Sequence, residues 1–134
     1  MIENLNQEQL AGILETIPIE ISFVNEDDLV RFWNKHETRI FKRPVAVIGE
    51  SVQNCHPKHS VDKVNQLLSD FKAGRRDSAE FWIDLKGRKI YIRYFAVRNK
   101  AGKYLGTLEA TQDITQIERI EGEKRLPDYQ GGTE

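Results

Sequence analysis

Cysteine is almost missing from this chain of 134 residues. The single Cys55 cannot close an intramolecular disulfide, and a zinc site built from paired cysteines is excluded with it. Long apolar runs are missing as well. Nothing approaches the roughly 20 consecutive apolar residues of a membrane helix, and Met1 to Gln9 lacks both the basic segment and the apolar stretch of a secretion signal. A cytoplasmic domain without a membrane partner is therefore expected. Neither sign of charge dominates: 20 basic against 21 acidic side chains leave a net charge of −1, and basic clusters such as Arg75-Arg76 are short and flanked by acids. That balance argues against a nucleic-acid binder driven by a basic field. No internal repeat and no low-complexity segment interrupts the chain.

What is present suits one domain with a real core, since 39% of the residues are apolar while 31% are charged. Leu5, Leu10, Ile13, Leu14 and Ile17 fall at helical spacing, with Asn6 as a cap and Pro18 as the stop, so residues 1 to 18 read as an amphipathic helical segment. The runs 19–24 and 29–33 alternate around the acidic turn Asn25 to Asp28, which predicts a β-hairpin. A short helix is expected from Lys35 to Lys42, stopped by Pro44. A longer one carries Val61, Val64, Leu67, Leu68 and Phe71 on one face, with Ser60 placed to cap it and Gly74 to end it. Three strands follow, 81–85, 89–97 and 104–112, joined by glycine-bearing turns. In the middle one Ile90, Ile92, Tyr94 and Ala96 share a face and Tyr91, Phe95 and Val97 share the other, so both faces need cover. Ile114, Ile117 and Ile120 then predict a final helix over 114–126, and Pro127, Gly131 and Gly132 predict a frayed tail over 127–134. The order describes an α+β domain whose core, residues 19–113, is a five-stranded antiparallel sheet with a helical crossover on one face.

That order, with Phe32-Trp33-Asn34 closing the first hairpin, the turn Val47-Ile48-Gly49-Glu50-Ser51, the segment Cys55-His56-Pro57 and the closing Asp113-Ile114-Thr115, resembles a PAS domain over residues 7 to 120. The Cys-His-Pro variant is similar to PAS domains at the C-terminal end of bacterial and archaeal proteins that also carry a hemerythrin-like region. The resemblance implies a sensor cut from a longer protein. It also implies an apolar chamber between sheet and crossover, holding a small ligand or cofactor, and an output helix starting at Asp113, Ile114 and Thr115. Asp113 or Thr115 would cap that helix, which either joins a coiled-coil seam or packs back on its own sheet. The residues expected to line the chamber are Trp33, Phe41, Val52, His56, Val64, Leu67, Leu68, Phe81, Trp82 and Tyr94, the alternative being that the aromatics simply fill the core.

Cys55, His56 and His59 form the densest set of metal donors, yet a structural site wants four, and a helix-entry loop explains the same residues. Heme is the alternative cofactor. The place of the iron-binding histidine in oxygen-sensing PAS domains falls near Val64, so heme would have to use His56 or His59. Asn54-Cys55 is similar to the photoreactive segment of flavin light sensors, but His56, Pro57, Lys58 and His59 replace the Arg, Phe, Leu and Gln that follow there, which speaks against flavin. The first functional expectation is a non-enzymatic sensory and protein-interaction module, homodimeric through the N-terminal helix and the sheet back, where Phe95 and Val97 need cover. The second is a small pocket enzyme of the isomerase or hydratase type. It would need a carboxylic acid or histidine inside the chamber, and the sequence offers few, with Glu80, Asp84 and Glu109 on strands.

Overall fold

The computed structural model describes residues 1–126. Asn6 and Gln9 close a reciprocal capping box at the start of α1 (Gln7–Thr16). The hairpin β1 (Glu20–Asn25) and β2 (Val30–Trp33) follows, turned by Asn25, whose carboxamide oxygen accepts from the Asp27 and Leu29 amides. The crossover leads through two 3₁₀ turns, Val45–Val47 and Val52–Cys55, into α2 (Lys58–Ala73). β3 (Ser78–Leu85), β4 (Arg88–Arg98) and β5 (Tyr104–Asp113) complete an antiparallel sheet of order β2-β1-β5-β4-β3. The first and last strands of the chain are thus neighbours at the centre of the sheet, and β1 lies against β5 from Glu20 opposite Thr111 to Asn25 opposite Gly106.

The inner face is the one that α2 covers. Leu68 of α2 and Val52 of the crossover pack on Val24, Val30 and Trp33, with Val47, Cys55 and Val64 around them. The alternation expected in the central strand holds: Ile90 and Ile92 are buried inside, and Tyr91, Phe95 and Val97 lie half-buried on the outer face. The β2 edge is not left bare. Leu29 bridges to Ser51, and Val30 exchanges backbone hydrogen bonds with Gly49 and Glu50, so the crossover adds a short run of pairing there.

Three sequence expectations fail locally. Lys35 to Lys42 forms turns instead of a helix, because its amides and carbonyls are spent elsewhere: Ile40 and Phe41 donate to the Glu20 carboxylate, and the Asn34 and Phe41 carbonyls accept from the Arg39 guanidinium. Ser60 does not cap α2. Pro57 occupies the cap position and the Ser60 hydroxyl donates to its carbonyl, while Gly74 ends the helix as expected with φ +74°. Beyond β5 the output helix is replaced, among the described residues, by a single 3₁₀ turn, Ile117–Arg119. The expected tail, 127–134, lies outside the described residues.

Candidate functional site

Each cross-strand row on the inner face carries polar groups where an apolar chamber is expected. Trp33, Ser22, Glu109, Tyr94 and Ala79 form one row across all five strands, and Glu20, Thr111, Ile92 and Phe81 form the next. Residues directly opposite one another stand on the same face, about 5 Å apart from strand to strand. Glu20, Ser22, Thr107 and Thr111 are buried there despite their polarity.

Two arginines from the turn segment descend on these rows. Arg39 is buried and fully engaged: Nε donates to the Phe41 carbonyl at 2.9 Å, Nη1 to the Ile21 and Asn34 carbonyls at 3.1 and 3.0 Å, and Nη2 to Ser22 Oγ at 3.0 Å. Nη2 also lies 3.4 Å from Glu20 Oε2. Burial pushes the Arg39 guanidinium below its ordinary pKa, and the Glu20 charge partly opposes that. Arg43 Nη2 meets Glu109 Oε1 at 2.8 Å, and Tyr94 stands directly opposite Glu109 on β4. Burial first, then Glu109, drives the Tyr94 phenol far above its ordinary pKa. Glu20 is thus committed to Arg39 and two backbone amides, and Glu109 to Arg43, the arrangement of a positioned network. An isomerase or hydratase would instead need one of them free to exchange a proton with a substrate.

The residues expected to line a chamber divide. Trp33, Val52 and Leu68 are buried in the core cluster, and Val64 and Leu67 are half-buried on α2 beside them. Phe41 acts through its backbone, donating to Glu20 and accepting from Arg39. Tyr94 is on the inner face, with Phe81 stacked on it at 6.1 Å, but Phe81 sits on the edge strand and is 43% exposed. Trp82 is a correction: it pairs with Tyr91 on the outer face, because side chains alternate along β3 and Phe81 has taken the inner place. His56 is half-buried and its Nδ1 donates to the Val52 carbonyl at 2.9 Å. His59 is exposed, Cys55 is half-buried with its thiol pKa pushed up by burial, and no three His, Cys, Asp or Glu side chains among the described residues group as metal ligands.

Sequence reasoning missed Arg39, Arg43, Glu20 and Asn34. Asn34 is buried, accepts from the Ile21 amide at 2.7 Å, and donates to the Leu14 and Ile19 carbonyls at 2.7 and 3.0 Å, which ties the end of α1 to the hairpin. Asp113 and Thr115 cap no helix. Asp113 Oδ1 accepts from the Thr115 amide and hydroxyl, Oδ2 from Arg88, and Thr115 Oγ1 accepts from the Lys89 amide, while the Ile114 amide donates to the Lys89 carbonyl. The triplet fastens the exit of β5 to the start of β4.

A sheet of order β2-β1-β5-β4-β3 with a helical crossover over one face defines a small α+β sheet-and-crossover module. The family model described as PAS domain matches residues 10–115, and the chain belongs to that family. A C-terminal domain from Streptococcus mutans is 35% identical and superposes with a TM-score of 0.81 over 87% of this chain and 91% of that one. The PAS domain of Bordetella pertussis BvgS, 18% identical, matches over 84% of this chain and 90% of its own with a TM-score of 0.60. A PAS domain from Colwellia psychrerythraea, 17% identical, matches over 81% and 97% with a TM-score of 0.58. At those identities the last two show the fold alone. No curated protein matches the chain. No helix of the described residues is long and apolar enough to cross a membrane.

Proposed function

We propose that this PAS domain is a cytoplasmic, non-enzymatic sensory and protein-interaction module. A small molecule received between α2 and the inner face changes how the crossover sits on β1 and β5, and the change leaves through the segments joined to those strands. The observation that carries this reading is the Arg43–Glu109–Tyr94 contact. It links a crossover residue to the central strands β5 and β4, and β5 runs on into the Asp113-Ile114-Thr115 fastening.

The output surface in this reading is α1 with the outer face of the sheet. None of the residues of α1 is buried, Ile13 is 45% exposed, and Phe95 and Val97 are only half-covered. A second copy is the partner that best fits such unspent apolar area, and a hemerythrin-like or other output domain of a longer parent protein would read its arrangement.

Hydrogen exchange tests the relay. Glu109→Gln weakens the link at its centre, and the Ile114 and Thr115 amides should then exchange several-fold faster while the β3–β4 turn keeps its rate. Equal rates in both proteins would remove the relay. Light scattering at micromolar concentration tests the dimer, which Ile13→Glu should dissociate; a 15.5 kDa species in the unaltered protein would contradict it.

A further inference from the structure

The two edges of the sheet are finished differently. The crossover pairs with β2, whereas no described element pairs with β3 on its outer side, and none of the eight residues of β3 is buried. The Ala96 N–H donates to the Asp77 carbonyl at 2.9 Å, one step beyond the pair Ser78 and Phe95 in the β3–β4 register. Hydrogen-bonded pairs alternate along an antiparallel ladder, so Ala79, Phe81, Ile83 and Leu85 bond to β4. The N–H and C=O groups of Ser78, Glu80, Trp82 and Asp84 then point away from the sheet. Neither proline, lysine nor a bulge blunts this edge, and Phe81 and Trp82 on it are 43% and 59% exposed.

The same four residues turn their side chains to the outer face, where Ser78 stands opposite Phe95, Glu80 opposite Arg93 and Trp82 opposite Tyr91. An open cleft of about 380 Å³ lies there, lined by Arg76, Ser78, Ala79, Glu80, Arg93 and Phe95. The Arg93 guanidinium is held 4.8 Å from the centre of the Tyr91 ring and 5.7 Å from that of Phe95, and its Nη2 donates to Gln112. Neither Arg93 nor Arg76 has a carboxylate partner among the described residues. Glu80, the one acid of the cleft, accepts from the Tyr91 hydroxyl. Two cations against one anion leave the cleft positive. At the other end of β3 the Asp84 side chain is 85% exposed and stands 3.8 Å from Lys89.

A row of unpaired backbone groups is matched by an extended segment, whose own backbone repeats at the same spacing. Directly opposite residues share a face about 5 Å apart, so a residue opposite Ser78 stands beside the cleft. We infer that the β3 edge binds an extended segment of a partner protein as a sixth strand. That segment carries an acidic residue opposite Ser78 for Arg76 and Arg93, an aromatic or β-branched one opposite Trp82, and a basic one opposite Asp84. A second copy of β3 fits poorly: about a two-fold axis, each register centred on the strand sets Glu80 opposite or diagonal to Glu80 or Asp84 of the other copy. The edge is at the other end of the sheet from the hairpin to which Asn34 ties α1, and the inference stands whether or not the dimer proposed above forms.

The probe is acetyl-Lys-Val-Tyr-Val-Thr-Val-Glu-amide, which lies antiparallel with its Lys opposite Asp84 and its Glu opposite Ser78. It is titrated up to millimolar concentration into the full ¹⁵N-labelled chain. The Ser78, Glu80, Trp82 and Asp84 amides should move downfield and exchange at least about tenfold more slowly, while those of Ala79, Phe81 and Ile83, already bonded to β4, change far less. Methylating the Tyr and Thr nitrogens of the peptide should abolish binding. Replacing its Glu by Gln should weaken binding about twofold to fivefold, and Arg76→Gln should narrow the difference between the two peptides. Equal binding of the methylated peptide overturns the added strand. Equal binding of the Glu and Gln peptides, or a difference that Arg76→Gln leaves untouched, overturns the acidic residue at the cleft. No response of the four amides to the probe overturns the whole inference, and so does a shift of the same amides with protein concentration alone, which marks a second copy as the occupant.

Discussion

Replacing Arg39 by methionine removes every polar contact of the turn segment's anchor while keeping much of its volume. Glu20, 5% exposed, then retains the Ile40 and Phe41 amides but no counter-charge. The Phe41 carbonyl loses its Arg39 donor, as does the Asn34 carbonyl, whereas the Ile21 carbonyl still accepts from the Asn34 amide. Breaking a buried pair by deleting one partner costs about 3–5 kcal/mol, a large part of the roughly 5–15 kcal/mol that holds a domain together. With a urea dependence of about 1.5–2 kcal/mol per molar, the unfolding midpoint should fall by about 2 M, read by circular dichroism and by the buried Trp33. A fall below about 0.5 M would mean that Arg39 contributes no more than a surface pair, and the account of residues 34–43 as pinned by charge would be wrong. The partner variant Glu20→Met separates the charge effect from lost packing. If the attraction is real, the double variant is less destabilised than the two singles summed, by about 1–3 kcal/mol.

Gly106 has φ +153°, and a Cβ there would stand 2.2 Å from the Val24 carbonyl oxygen and 2.6 Å from the Phe23 ring, so Gly106→Ala should cost about 3 kcal/mol or more in thermal or urea unfolding. A wild-type midpoint in that variant would show that β1 and β5 can part at no cost. The Tyr94 phenol stays protonated in the folded chain at pH values where it ionises in the unfolded one, so stability should be complete below about pH 10 and fall as pH rises beyond it. Tyr94→Phe should be less stable at neutral pH and show a shallower alkaline decline, though not a flat one, since Tyr91 and Tyr104, also raised, remain; an unchanged slope would contradict the burial of the Tyr94 phenol. Asp113 has its pKa lowered, chiefly by the Thr115 hydroxyl and amide, so its stabilisation is present above about pH 4 and is lost as pH falls. The deficit of Thr115→Val in urea midpoint should therefore narrow on acidification, and a constant deficit would mean that Thr115 acts through Lys89 alone.

The parts that could be read from the sequence are those in which a local signal and the tertiary demand coincide. The capping box at Asn6, the glycine end of α2 and the two faces of β4 each follow from residues within a few positions of one another. The segment after Asn34 obeys no such signal. Lys35 to Lys42 has the spacing of a helix, but the partner of Arg39 is Glu20, at the start of β1, and the partner of Arg43 is Glu109, 66 positions away. Single charged residues in a polar stretch read as surface, because most are. Only the pairing of β1 with β5 sets Glu20 and Glu109 in adjacent rows, and only then do two arginines have somewhere buried to go.

That dependence also explains why the inner face is polar in a domain expected to be apolar there. A crossover held on the sheet by hydrophobic contact alone can slide, since such contact is not directional. The four hydrogen-bonding directions of Arg39 and the Arg43–Glu109 pair are directional, and they fix the turn segment over β1 and β5 in one register. Apolar packing from α2 supplies the burial on the Val24–Leu68 side, while the charged side supplies the position. A disturbance at Arg43 then meets a strand whose far end is held by its own set of directional bonds at Asp113 and Thr115, instead of being absorbed by a soft core. In the transmitting role proposed above, such a polar inner face would serve better than the expected apolar chamber, and Arg43 and Glu109 instead of Cys55 and His56 would decide the outcome.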